Sequence, residues 1–307
     1  MARPDKSIES KAFRQSPRPH FSWFGRLVRA FGWLCVCIVL ALGAFVLSFI
    51  LFPPFGNRST ARVMMVGLDD KTPDESAQRS DSLILLATKL HGGGATLLSV
   101  PRDARVRLPG EAHSAKINAA YAKGKQTLLE ETLAEPELLH DHITYYLIYD
   151  SASVAAIVDA IGGVYVDVPR DMNYDDSWSG LHIHLDKGKH QLLIGKDIVG
   201  FLRWRKNNDG SGASDDFERT ERQRQFLVAF KDKLTSWQGI CSLPKIYSAC
   251  KQTVNTNLSL TQLLALGWSS RQITTETVPG TPRTIGGVSY VVCNWGQARK
   301  LWALAIQ

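Results

Sequence analysis

The sequence predicts a mixed α/β domain, with a central mixed sheet flanked by helices and a single transmembrane helix before it. Three observations predict this class. Short apolar runs rich in branched residues, bounded by Gly or Pro, alternate with segments of helical spacing. A hydrophobic content of 44% and a charged content of 21% are typical of a folded chain. One uncharged apolar run near the start is as long as a membrane span.

The N-terminal region has the pattern of a signal anchor. Residues 1–30 contain seven Lys or Arg and two Asp or Glu, and residues 31–52 contain no charge. About 20 apolar residues cross a hydrocarbon core, whereas a cleaved signal peptide has an apolar run of about 7–15. The pattern predicts a basic cytoplasmic tail (1–30), a transmembrane signal anchor (31–52), a linker (53–60) and an extracytoplasmic domain (61–307).

With this topology, three cysteines would lie in an oxidising compartment: Cys241, Cys250 and Cys293. Three pairings are possible, and each leaves one thiol over. Cys241 and Cys250 are close in sequence, which favours that pair. No C-x-x-C motif occurs, so a redox or zinc-ribbon role is not indicated.

The first half of the domain is predicted to contain five strands and one helix. The strands are expected at residues 62–68, 83–88, 95–100, 145–149 and 164–168. Residues 151–161 have apolar residues at helical spacing, and Gly162 and Gly163 end that helix.

The second half is predicted to contain a hairpin, three helices and two strands. Residues 181–193 alternate as a hairpin. Residues 215–234 form a charged helix, whose core face is expected to include Phe217, Phe226, Leu227 and Phe230. The tail is expected to contain a helix near 260–266, strands near 273–278 and 289–292, and a last helix from Gln297.

Two aspartates lie at the ends of neighbouring predicted strands. Asp69 follows the first strand and Asp81 precedes the second. If these strands are adjacent in the sheet, the two carboxylates converge, and they repel each other unless a cation lies between them. Mg²⁺ suits such a pair because it binds one or two carboxylates and takes its other ligands from water and phosphate. The alternative is that Asp69 is a turn residue after a strand.

Five arginines also lie at strand ends or on the charged helix: Arg79, Arg102, Arg203, Arg205 and Arg219. Arg203 and Arg205 alternate, so they share one face if the segment is extended. Arg219 and Gln223, or Arg222, lie about one helical turn apart. Guanidinium groups bind phosphate oxygens bidentately, so a converging set indicates a di- or polyphosphate site. A surface ion pair is the alternative for any one of them.

Seven short motifs, taken together and in this order, resemble a known family: GLDD (67–70), RSD (79–81), SVPRD (99–103), KINAAY (116–121), D-x-IGGV (159–164), FLRWR (201–205) and DFERTERQRQ (216–225). The family is LytR–CpsA–Psr, and the resemblance extends over nearly all of residues 60–307. It implies a phosphotransferase that moves a glycopolymer from a polyprenyl-pyrophosphate carrier to the cell wall. Peptidoglycan is the usual acceptor in that family, and magnesium is the metal.

The resemblance also assigns roles to residues. It places the metal-binding pair at Asp69 and Asp81. Lys116 and Asn118 are expected to contact phosphate or to support groups that do, although Asn118 could instead cap a helix. Residues 206–215 make a longer connection than the family pattern, so Asp215 and Asp216 compete for one family position, whereas Arg219 and Gln223 align.

The expected reaction is attack of an acceptor hydroxyl on the sugar-proximal phosphorus, with polyprenyl phosphate leaving. Mg²⁺ and the arginines would position the groups and stabilise negative charge. Arg102 is expected to matter most for the rate. Asp103 either accepts the proton of the hydroxyl, or it orients Arg102 or caps the segment; both interpretations stay open.

Two other functions stay open as well. A polyprenyl-pyrophosphate hydrolase would use the same phosphate site with water as acceptor, and a membrane-tethered regulator would bind ligand without turnover. The expected partners are a polyprenyl-pyrophosphate-linked glycan, peptidoglycan and, through residues 31–52, a bacterial plasma membrane crossed once with the N-terminus inside. No nucleic-acid partner is expected, because the basic tail is short and the folded domain lies outside.

Overall fold

The computed structural model describes residues 31–33, 36–37, 39–40, 43–44, 47, 51, 53–69, 78–90, 94–177, 180–212, 214, 216–269 and 272–306. The chain divides into two compact units, Met1–Gly56 and Asn57–Gln307. In the first unit, residues 31–33, 36–37, 39–40, 43–44, 47 and 51 are helical. The predicted tail (1–30) and half of the predicted span (31–52) lie outside the described residues. Within the described part of the chain, no helix is both long and apolar enough to span a bilayer.

The second unit is a mixed α/β domain. Its strands are β1 (Thr60–Leu68), β2 (Ser80–Lys89), β3 (Ala95–Val100), β4 (Arg105–Arg107), β5 (Ser114–Lys116), β6 (Tyr145–Tyr149), β7 (Val164–Val168), β8 (Met172–Asp176), β9 (Leu181–Leu185), β10 (Gly188–Leu193), β11 (Asn255–Thr256), β12 (Ile273–Thr277), β13 (Gly280–Ile285) and β14 (Val288–Cys293). Its helices are α1 (Asn118–Ala134), α2 (Ser151–Ala160), α3 (Gly195–Arg203), α4 (Asp216–Thr235), α5 (Trp237–Thr253), α6 (Leu260–Ser269) and α7 (Trp295–Ile306).

Six strands form the central sheet in the order β11-β6-β1-β2-β3-β12. The pairs β1–β2, β2–β3 and β6–β11 are antiparallel, whereas β1–β6 and β3–β12 are parallel. Four two-stranded sheets accompany it: β4 with β5, β7 with β10, β8 with β9, and β13 with β14. The predicted mixed sheet with flanking helices is therefore confirmed.

Two buried clusters form the core. The first covers one face of the central sheet, where alternate residues such as Leu83 and Leu85 point inward and meet α1 and α7. The second joins β7, β9 and β10 to α3 and α4, and its largest members are Phe201 and Trp204. The functional residues discussed below lie at the sheet edge of the first cluster and at the end of a helix in the second.

Most predicted elements are present with shifted ends. The strands expected at 95–100, 145–149 and 164–168 have those bounds, and β1 and β2 extend beyond the predicted ranges. The helix after β6 begins where the side chain of Asp150 accepts a hydrogen bond from the backbone N–H of Ser153 at 2.8 Å. It ends before Gly162 and Gly163, which have φ values of +79° and +84°.

The predicted hairpin at residues 181–193 is wrong. Both strands exist, but β9 pairs with β8, and β10 pairs with β7. Alternation identifies a strand with one buried face, but it does not specify the partner. Helices α1, α3 and α5 and strands β4, β5, β8, β11 and β13 were not predicted. Leu227, expected in the core, is 57% exposed. The side chain of Phe217 lies outside the described residues.

The favoured disulfide is also wrong. Cys241 and Cys250 lie on the same helix, α5, nine residues apart. A rise of 1.5 Å per residue separates them by about 13 Å along the axis, whereas bridged Cα atoms are about 4.4–6.8 Å apart. Both are free thiols, as is Cys293. Burial raises the pKa of Cys250, and it raises that of Cys293 to about 11.

Candidate functional site

The ends of β1 and β2 bring the first pair of predicted site residues together. Leu68, the last residue of β1, pairs with Ser80, the first residue of β2, after a shift in register at Gly67. The backbone N–H of Asp69 donates to the carbonyl oxygen of Arg79 at 3.1 Å. Because the ladder itself holds these residues side by side, the predicted adjacency of the two strands is confirmed.

The end of β3 lies at the same edge. Val100 pairs with Leu83, so Arg102 and Asp103 leave the sheet near the start of β2. The guanidinium of Arg102 forms an ion pair with Asp81, which is the second residue of β2 and not, as predicted, a residue before it. The PRD segment therefore meets the RSD segment directly.

Backbone hydrogen bonds add the KIN segment to this edge. The N–H of Asn118 donates to the carbonyl of Arg102 at 3.2 Å, and the N–H of Ile117 donates to that of Ala104 at 2.9 Å. Asn118 is the first residue of α1, and no side-chain cap closes that helix end. The helix-cap interpretation of Asn118 is therefore wrong, and its side chain is available to the site.

These segments surround one cleft of about 260 Å³, here called the strand-end cleft, and it is lined by Asp69, Arg79, Ser80, Asp81, Arg102, Asp103, Lys116 and Asn118. All of these except Ser80 were predicted as site residues. Ser80 is 2% exposed, and a serine between Arg79 and Asp81 carries little sequence signal of its own. Residues as far as 49 positions apart along the chain, Asp69 and Asn118, thus line one cleft.

Opposite charges alternate around the cleft. Arg102 has a raised pKa, mainly because of the charge of Asp81, and Asp103 and Asp69 add to the effect. The ammonium of Lys116 lies 2.8 Å from a carboxylate oxygen of Asp103, and both side chains are about one-third exposed. Arg102 therefore stands among three carboxylates, with Lys116 beside one of them.

A second group, here called the helix-end arginines, consists of Arg203 and Arg205. Arg203 is the last residue of α3, so the two residues do not lie on one extended segment, which was the condition for their sharing one face. Burial lowers the pKa of the half-buried Arg203, the positive charge of Arg205 lowers it further, and the carboxylate of Asp69 opposes both effects. The helix-end arginines therefore lie within electrostatic reach of each other, and Arg203 within reach of the strand-end cleft.

The two remaining predicted residues lie on α4. The backbone of Arg219 is helical, but its side chain lies outside the described residues. Gln223 is exposed, and the described lining of the strand-end cleft does not include it. Asp216 is the first residue of α4, whereas its rival Asp215 lies outside the described residues.

From the sequence, Arg222 was expected only as an alternative to Gln223 beside Arg219, and its structural role was not predicted. Arg222 is 4% exposed and donates to the carbonyls of Phe201 and Trp204 at 3.2 and 2.6 Å. Phe226, four residues later, is also buried, so helical spacing places Arg222 on the core face of α4. That spacing was the available signal, because an arginine on an apolar face needs buried acceptors.

Asp69 and Asp81 fit a Mg²⁺ site only if a phosphorylated ligand supplies further oxygen ligands. Asp69 and Asp81 present hard oxygen donors to the same cleft. No group of three or more Asp, Glu, His or Cys among the described residues has the arrangement of a metal site. Mg²⁺ is commonly held by one or two carboxylates together with water and substrate phosphate. The pair therefore fits Mg²⁺ as part of a complex with a phosphorylated ligand.

The fold and the cleft define a class: a mixed α/β protein with a cleft lined by three aspartates, two arginines and one lysine. The model of the LytR_cpsA_psr family matches residues 52–306. The chain belongs to the LytR_cpsA_psr family.

Relatives of known sequence or structure agree with this assignment. The chain is 32% identical to the polyisoprenyl-teichoic acid–peptidoglycan teichoic acid transferase TagV of Bacillus subtilis over 73% of its own length and 58% of TagV. It is 28% identical to the regulatory protein MsrR of Staphylococcus aureus, over 70% of this chain and 62% of MsrR. The alignments thus span less than two thirds of either relative. The crystal structure of B. subtilis TagV has a TM-score of 0.64 at 29% identity, covering 81% of this chain and 98% of that chain.

Proposed function

We propose that this protein is a membrane-anchored phosphotransferase that moves a glycopolymer from a polyprenyl-pyrophosphate carrier to peptidoglycan. The observation that carries the proposal is the strand-end cleft, in which three acidic and three basic predicted site residues converge: Asp69, Asp81, Asp103, Arg79, Arg102 and Lys116. The relationship to TagV, whose name states a teichoic acid transfer to peptidoglycan, supports the choice of reaction.

The cations of the site suit a pyrophosphate. Arg79, Arg102 and Lys116 line the cleft, and guanidinium groups bind phosphate oxygens through paired hydrogen bonds. Burial is the main cause of the lowered pKa of the half-buried Arg203, and repulsion from the positive charge of the exposed Arg205 lowers that pKa further. An anion between them would relieve that repulsion. Both groups therefore gain from a ligand with several negative charges.

In the proposed mechanism Asp69 and Asp81 would hold Mg²⁺, and the ion would supply neutralisation of charge on the phosphate oxygens. Arg102 stabilises the charge that develops at the sugar-proximal phosphorus as the acceptor hydroxyl attacks. The bond from phosphorus to the polyprenyl phosphate then breaks, and the proton of the acceptor hydroxyl leaves on the released polyprenyl phosphate. Asp103 is already paired with Lys116 at 2.8 Å, so we assign it to positioning that lysine. Phosphoryl transfer depends mainly on positioning and electrostatic stabilisation, which these residues can supply.

An apolar surface next to the cleft supports a lipid substrate. On the face of the central sheet opposite the first core cluster, Met65, Ile84 and Leu147 are register partners and are half-buried. Neither buried cluster includes them. The next row along the same strands toward Asp69 is Gly67, Ser82 and Tyr149. We propose that the polyprenyl chain lies along this face with its pyrophosphate at the cleft.

Transfer from a synthetic polyprenyl-pyrophosphate-linked disaccharide tests the proposal, with the full-length chain in lipid nanodiscs and Mg²⁺. We expect disaccharide on added peptidoglycan fragments and release of polyprenyl phosphate. Arg102→Ala should lower transfer by about 10²–10³-fold, the usual cost of removing a group that stabilises transition-state charge. Arg224→Ala is the matched control, because Arg224 is exposed, pairs with Glu221 on its own helix and is not among the described residues that line the cleft.

The same assay separates the alternatives. Release of polyprenyl phosphate at an equal rate without acceptor would indicate a hydrolase, and tight binding without any release would indicate a regulator. Near-normal transfer by Arg102→Ala would contradict the mechanism.

Membrane placement has its own test. We propose that residues 31–52 cross the plasma membrane once, with residues 61–307 outside. Alkaline phosphatase fused after Gln307 should be active in cells, because that enzyme needs an oxidising compartment for its disulfides. A fusion that is inactive, while the same fusion to a cytoplasmic reporter is active, would place the domain inside and remove the proposal.

A further inference from the structure

We propose that Arg222 is a positioning residue that holds the helix-end arginines, Arg203 and Arg205, in the arrangement that binds pyrophosphate. The inference rests on the proposed function, and it concerns a residue that does not line the described strand-end cleft. It follows from the contacts of one buried guanidinium.

The guanidinium of Arg222 is bound on three sides. Its Nε donates to the carbonyl of Phe201 at 3.2 Å, one terminal nitrogen donates to the carbonyl of Trp204 at 2.6 Å, and the other donates to Oγ of Ser214 at 2.9 Å. Its carbon lies 5.3 Å from the ring centre of Trp204. A planar group with fixed donor directions can make this set of contacts, and a flexible ammonium cannot reproduce it.

The contacts close the C-terminal end of α3. The last carbonyls of a helix lack partners within the helix, and a positive charge there is favourable. Arg222 binds the carbonyls of Phe201 and Trp204, and these two residues stand on either side of Arg203 in the chain. The N–H of Trp204 also donates to the carbonyl of Gly200 at 2.9 Å. The backbone that carries Arg203 is therefore held by a residue of another helix.

Arg205 is tied to the same guanidinium through one intermediate. The backbone N–H of Ser214 donates to the carbonyl of Arg205 at 2.7 Å, and Oγ of Ser214 accepts from Arg222. Arg222 thus binds the backbone at Phe201 and Trp204 directly, and it binds the backbone of Arg205 through Ser214. Loss of this connection should let both side chains move away from each other, as their like charges favour.

Arg222 acts through these arginines and not as a ligand of phosphate. It is 4% exposed, and its donors point to protein acceptors. Arg224, two residues later on α4, is the natural comparison, because it is exposed and pairs with Glu221 at its own helix surface. The same helix therefore offers an arginine with the proposed role and one without it.

The experiment compares full-length variants by their Kd for farnesyl pyrophosphate with Mg²⁺, at least 20 °C below each melting temperature. We expect Arg222→Met to raise this Kd about tenfold, the effect of misplacing a charged hydrogen-bonding pair. In the transfer assay, the Mg²⁺ concentration that gives half-maximal activity should not change. Arg222→Lys should give an intermediate Kd, and Arg224→Met should match the wild type.

Combined variants test whether Arg222 acts through Arg203 and Arg205. In a chain that already carries Arg203→Ala and Arg205→Ala, Arg222→Met should cause no further rise in Kd, because nothing is left to position. A further rise in Kd in this triple variant would overturn the proposal. An unchanged Kd in Arg222→Met would overturn it as well. If Arg222→Met does not fold, an unchanged Kd in Arg222→Lys would do the same. A different result, an unchanged Kd in Arg203→Ala/Arg205→Ala itself, would instead contradict the pyrophosphate site of the proposed function.

Discussion

The strand-end cleft and the helix-end arginines bring charges together by different means. In the cleft, Asp69, Asp81, Arg102 and Asp103 follow or begin β1, β2 and β3, and ladder hydrogen bonds between these strands set their separation. Lys116, at the end of β5, completes the charged lining. The helix-end arginines come from a segment more than 100 residues later and depend on contacts from α4. Hydrogen bonds of a sheet position the charged residues of the strand-end cleft, whereas one buried side chain positions the helix-end arginines.

This difference predicts different responses to mutation. Within the cleft, the backbone geometry does not depend on any one charged side chain, so a substitution there should remove that group's chemistry and little else. Around the helix-end arginines, a change in a residue that touches no ligand should alter ligand affinity. The predictions below test this contrast, beginning with the largest expected effect.

The largest effect is expected for the carboxylates of the strand-end cleft. Asp69→Asn and Asp81→Asn should each lower Mg²⁺-dependent transfer by about 100-fold or more, because each removes one of two hard ligands. Titration calorimetry should show weaker Mg²⁺ binding in the presence of farnesyl pyrophosphate. Asp232→Asn, on an exposed position of α4, is the control. Unchanged Mg²⁺ dependence in both variants would leave the metal assignment without support.

Gly67 tests whether the sheet sets the geometry of the cleft. A Cβ atom there would lie 2.2 Å from Oγ of Ser82 and 3.3 Å from the ring of Tyr149. Gly67→Ala should therefore cost about 1–3 kcal/mol and lower activity about tenfold, because the end of β1 must shift. Adding Ser82→Ala removes the closer contact and should restore most of both losses, as measured by thermal melts and transfer assays. A double variant no better than Gly67→Ala would argue against this cause.

The pair of Asp103 and Lys116 separates two roles within the cleft. If Asp103 positions Lys116, then Asp103→Asn and Lys116→Met should each lower transfer by about tenfold, and the double variant should be no worse than either, because coupled residues are not additive. Stability should barely change, since exposed ion pairs contribute about 0–1 kcal/mol. A loss far above tenfold in Asp103→Asn, with a mild effect of Lys116→Met, would instead assign proton acceptance to Asp103.

The smallest effect is expected in the loop beside the helix-end arginines. Oδ1 of Asn207 accepts from the indole N–H of Trp204 at 3.1 Å and from the backbone N–H of Asn173 at 2.7 Å. Asn207→Ala should raise the KM for the lipid substrate about fivefold, in line with about 1 kcal/mol for lost hydrogen bonds, and leave kcat unchanged. Asn208→Ala is the matched control, because Asn208 forms hydrogen bonds with the backbone of Asp175 and not with Trp204. Equal KM values for the two variants would mean that the loop does not support these arginines.

The sequence predicted the strand-end cleft well because its residues lie next to strands with clear apolar patterns. Asp69, Asp81, Arg102 and Asp103 each follow or begin a run whose period and bounding residues identify a strand. Once those strands are neighbours, convergence of their ends is nearly unavoidable. The predictions failed where position depends on a distant partner: β9 and β10 pair with other strands, and Cys241 and Cys250 share a helix.

The sequence by itself determined the family, the mixed α/β class and the charged residues at the strand ends, because these follow from local patterns and from motif order along the chain. The tertiary structure alone decided that Arg203 ends a helix, that it lies near Asp69, and that Arg222 closes that helix. The physical reason is that a buried guanidinium must find acceptors, and only the folded chain determines which carbonyls are within its reach.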